Sequence, residues 1–142
     1  MSLGYSIASE LDLAYTSENI QTILEIGQGL GILYYKSNEN SDNFFDITLL
    51  PSVTNAVNYL LYEKENEYDS LHYVTAKLEE TIFNFHILND AKIIIMFNGL
   101  GFAWSKKFIG QEKPDLDIQR YTKLMLDIIK DFKIKSLVVE KG

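Results

Sequence analysis

Tyr5, Ile7, Leu11 and Leu13 alternate with Ser6, Ala8, Glu10 and Asp12, the period-2 spacing of a strand with one buried face. Thr16 or Ser17 then suits a helix N-cap. Ile20, Ile23, Leu24 and Gly27 recur at helical spacing, and Glu18 lies in the first turn, where the helix dipole favours an anion. Gly27, Gly29 and Gly31 are expected to end that helix, and residues 32–35 read as a second strand. A polar connection over 36–43 leads to a third strand at 44–49. Pro51 fits the first turn of a second helix, whose apolar face is Val53, Ala56, Val57, Leu60 and Leu61, down to about Glu63. Residues 64–69 form a charged loop.

From 71 to 88 the pattern is β but changes phase. Val74, Ala76 and Leu78 share one parity and Phe83, Phe85 and Ile87 the other, which places a turn or bulge near Glu79-Glu80. Asn89-Asp90 suits a tight hairpin onto 93–97. Asn98-Gly99 is the strongest turn signal in the chain, because both centres of a type I′ turn need positive φ, and 102–108 would be the return strand. Pro114-Asp115 marks a last helix, with Ile118, Tyr121, Thr122, Met125, Ile128, Ile129 and Phe132 as its stripe; 136–139 closes the chain as a strand. The expected fold is a single α+β domain over 1–142. Its sheet is mixed or mostly antiparallel, its order is β-α-β-β-α-β-β-β-β-α-β, and its helices pack on one face. The first part matches the β-α-β-β-α-β order of ferredoxin-like folds.

Composition narrows the chemistry. At 46% hydrophobic and 23% charged, the chain has the makings of a packed core. It contains no cysteine, which removes disulfides, thiolate catalysis and Cys-ligated metal sites together. The longest apolar run, residues 93–97, is far short of the roughly 20 residues that span a bilayer. With no signal-peptide pattern either, a cytoplasmic home is the expectation, and the abundance of Lys, Asn and Ile suggests an AT-rich bacterial genome. The net charge of −7 is unevenly spread. Residues 1–71 hold two lysines against eleven carboxylates, a balance of −9, whereas residues 72–142 balance at +2. A lone arginine, Arg120, leaves the chain poorly equipped to grip phosphate bidentately, so nucleic acid is a disfavoured partner.

Four segments invite a sharper reading. Gly27, Gly29 and Gly31 follow a helix instead of opening one, so a glycine C-cap accounts for them better than a dinucleotide loop. Residues 99–102 match the short carboxylate-binding loop of PDZ domains, but nothing else in the chain follows that pattern and a hairpin turn containing two glycines accounts for them far better. Gly101, Phe102, Ala103 and Trp104, followed by Lys106 and Lys107, partly resemble the RNP1 signature of RNA-recognition domains, with Leu100 in place of its basic first residue. His72 and His86 would come together only if the chain folded back at Glu79-Glu80. That arrangement, with His86 near Glu79 or Glu80, is the one acid–base constellation available. No hydrolase elbow, P-loop, HExxH or EF-hand pattern occurs, and no cofactor or metal is expected.

These observations favour a non-enzymatic binding protein acting through an acidic protein–protein surface, with an immunity or antitoxin-type inhibitor as its concrete form. The expected contact residues are Glu39, Asp42, Asp46, Glu63, Glu65, Glu67 and Asp69. The alternative is a small-ligand domain or enzyme with a pocket between sheet and helices, using Glu79, Glu80 and His86. An RNA-binding sheet is the third reading, and it needs Phe102 and Trp104 on an exposed face.

Overall fold

The opening alternation becomes strand β1, Tyr5–Leu11, in a computed structural model that describes residues 5–37, 47–63, 73–79, 81–100 and 114–141. Helix α1, Ser17–Gly29, is capped by Thr16, whose hydroxyl accepts from the Asn19 amide at 3.1 Å. Strands β2, Leu33–Ser37, and β3, Ile47–Leu49, come next. Helix α2 is short, Val53–Asn58, and runs directly into a π-helical turn, Tyr59–Glu63. Its cap is Ser52, so Pro51 precedes the cap instead of occupying the first turn as the sequence suggested. Strands β4, Tyr73–Leu78, β5, Thr81–Asp90, and β6, Lys92–Leu100, form a meander. Helix α3, Pro114–Ile129, and strand β7, Ile134–Lys141, end the described chain. The expected strand at 102–108 lies outside the described residues.

The molecule is α+β, with one open seven-stranded sheet in the order β3-β2-β4-β5-β6-β1-β7, and every adjacent pair is antiparallel. The ferredoxin-like pairing expected for the first part is not the one formed. A split β-α-β unit places one strand between the two that a helix joins, whereas β4, β5 and β6 all lie between β1 and β2. The β4–β6 meander supplies the hydrogen-bonding neighbours that the shorter motif would have taken from β3, and β3 becomes an edge.

Strand alternation decides which side chains meet the helices. On one face Ile7, Tyr34, Val74, Ala76, Phe83, Phe85, Ile87, Ile93, Ile95 and Phe97 are buried with Ile20, Ile23 and Leu24 of α1, Val53, Ala56 and Val57 of α2, and Tyr121, Met125 and Ile128 of α3. Helix α1 touches both α2 and α3. Aromatic edges tie the centre together: Phe97 meets Phe83 and Phe85 edge-on at centroid distances of 5.1 and 5.0 Å, and Tyr121 caps Phe83 at 5.1 Å.

One turn expected near Glu79-Glu80 is present and another expectation changed. The phase switch after Leu78 is a tight hairpin, with Glu79 at φ +56°. Asn98-Gly99, by contrast, is no turn: β6 runs through it to Leu100. Tyr5 pairs with Leu100 and Ile7 with Phe97, so one residue of β1 faces two of β6. The glycine therefore marks a β-bulge, the other structural use of a Gly inside a strand.

Candidate functional site

The acidic residues singled out from the sequence fall where the described structure is silent. Glu39, Asp42, Asp46, Glu65, Glu67 and Asp69 lie outside the described residues, and Glu63 closes the π-helical turn with its side chain outside them too. What the structure does place is the rest of the acidic half. Residues 5–35 contain no basic side chain and carry Glu10, Asp12, Glu18 and Glu25, of which Asp12, Glu18 and Glu25 are exposed. Glu18 and Glu25 stand on the outer side of α1, and neither α1 nor α2 has a cation in its last turn to offset them. Asp12 is the exception to this unbalanced charge. It approaches Lys92 at 3.5 Å and Lys133 at 3.8 Å, pinning the end of β1 to the ends of its neighbours.

The acid–base constellation does not assemble among the residues that are described. Glu79 sits at the apex of the β4–β5 hairpin, where its carboxylate pairs with Arg120 of α3 at 2.7 Å. The one arginine is thus committed to clamping a hairpin onto a helix, with its guanidinium also 5.7 Å above the Tyr121 ring. His86 faces Tyr73 across β4 and β5, their rings 5.1 Å apart, and is 2% exposed. From Thr81 at the hairpin to His86 is five residues, about 16 Å along a strand. Parity separates them further, because His86 lies on the face opposite Phe85, away from the helices. A pocket between sheet and helices therefore could not use His86. Glu80 and His72 lie outside the described residues, as do Phe102 and Trp104, whose exposure the RNA reading requires. Among the described residues no group of three or more His, Asp or Glu side chains is placed to hold a metal ion.

No protein-family model, no curated protein and no solved structure matches this chain. The site must be read from its own residues.

Two features escaped the sequence reading. Gly27 lies inside α1, not at its end, and a Cβ there would collide with the Tyr34 hydroxyl, which donates to the Leu24 carbonyl at 2.8 Å. Gly31, at φ +106°, is the glycine that the helix exit requires. The second feature is the far edge of the sheet, where Ile134, Val138 and Val139 of β7 are each 44% exposed. Residues 134–141 read I-K-S-L-V-V-E-K, and the pair of adjacent valines was the available signal that each face of this strand carries an exposed apolar side chain. Among the described residues no helix is long and apolar enough to cross a membrane.

Proposed function

We propose that this is a non-enzymatic binding protein that engages a basic protein partner through an acidic surface, in the manner of an immunity or antitoxin-type inhibitor. The observation that carries the reading is the separation of charge along the chain, −9 over residues 1–71 against +2 over the remainder. A one-signed surface accelerates encounter with an oppositely charged partner and competes with nucleic acid for the partner's basic site. The described part of the acidic half supports this. From residue 5 to residue 35 the surface carries carboxylates and no cation, with Glu18 and Glu25 projecting from α1. The proposed contact residues are Glu39, Asp42, Asp46, Glu63, Glu65, Glu67 and Asp69, with Glu18 and Glu25 adding to the same sign.

A pocket enzyme receives less support. Glu79 is engaged by Arg120, His86 is on the opposite face from the helices, and the space between sheet and helices is filled by aliphatic and aromatic side chains. The test is a charge-neutralised variant in which the seven contact carboxylates become amides. Tagged wild-type protein is expected to retain a basic host protein that the variant loses at equal fold stability. Equal retention by both proteins would remove the acidic surface from the account.

A further inference from the structure

We draw no further inference here: the strongest candidate, the polar row Thr75, Asn84 and Asn98 with the buried His86 beside it on the sheet face away from the helices, carries nothing because nothing among the described residues shows what covers that face.

Discussion

At the scale of single residues, Gly27 lets the Tyr34 hydroxyl approach α1 closely enough to occupy the place of a Cβ. Gly27→Ala would gain about 1 kcal/mol of helix propensity. It would also force its Cβ against the Tyr34 hydroxyl, and overpacking of this kind typically costs about 1–3 kcal/mol. Denaturant unfolding should therefore show net destabilisation. In a Tyr34→Phe background, where the colliding oxygen is gone, the same substitution should be neutral or stabilising; additive effects in the double variant would contradict the contact. Tyr34 also makes a pH prediction. Burial pushes its hydroxyl well above the ordinary tyrosine range, so the folded state holds the neutral form. The resulting stability is complete below about pH 10, where the unfolded phenol is also neutral, and is lost as pH rises above that value. Tyr34→Phe should flatten the alkaline decline in melting temperature, and an unchanged slope would assign that decline to other groups. The glycine was visible in the sequence, but its reason was not. A Gly-x-Gly-x-Gly run near a helix end satisfies the C-cap rule on local grounds, whereas the tyrosine that occupies its missing Cβ comes seven residues later on another element.

At the scale of elements, local signals were read correctly where the chain itself satisfies them. Thr16 caps α1 because its own side chain reaches an amide three residues on; Ser52 caps α2 in the same way, accepting from Asn55 at 3.1 Å, where the sequence pointed instead to Pro51 in the first turn. Thr16→Ala and Ser52→Ala should each cost about 1 kcal/mol in chemical denaturation. The loss from Ser52 is expected to fall mainly on α2 and its π-helical turn, visible as faster amide exchange there than in the sheet. Arg120→Ala tests a different kind of link. The Glu79 carboxylate is well exposed, so loss of the ion pair should cost no more than about 1 kcal/mol, and a much larger loss would mean that the clamp holds α3 in place. Asn98-Gly99 shows where local reading ends. The dipeptide permits either a hairpin turn or a bulge, and the choice was made by β1, a strand more than 90 residues earlier in the chain whose register with β6 needs one extra residue. The ferredoxin-like expectation failed for the same reason: the order of elements was legible, but their neighbours depend on long-range pairing that no local pattern encodes.

At the scale of the whole molecule, the sequence revealed the division into an acidic first half and a slightly basic second half, because counting charges needs no three-dimensional information. It did not reveal how the sheet distributes its exposed apolar surface, since period-2 alternation predicts one dry face and one wet face, and β7 carries adjacent valines that expose both. The candidate site was legible in chemistry and not in geometry. Its carboxylates could be named, whereas the commitment of Glu79 to Arg120 and the placement of His86 behind the sheet came only from strand register. The central claim concerns long-range attraction, and its most direct test is the association rate with the basic partner measured across ionic strength. Steered association should be fast at low salt and fall steeply as salt rises, with dissociation changing far less. An association rate indifferent to ionic strength would contradict the acidic-surface account.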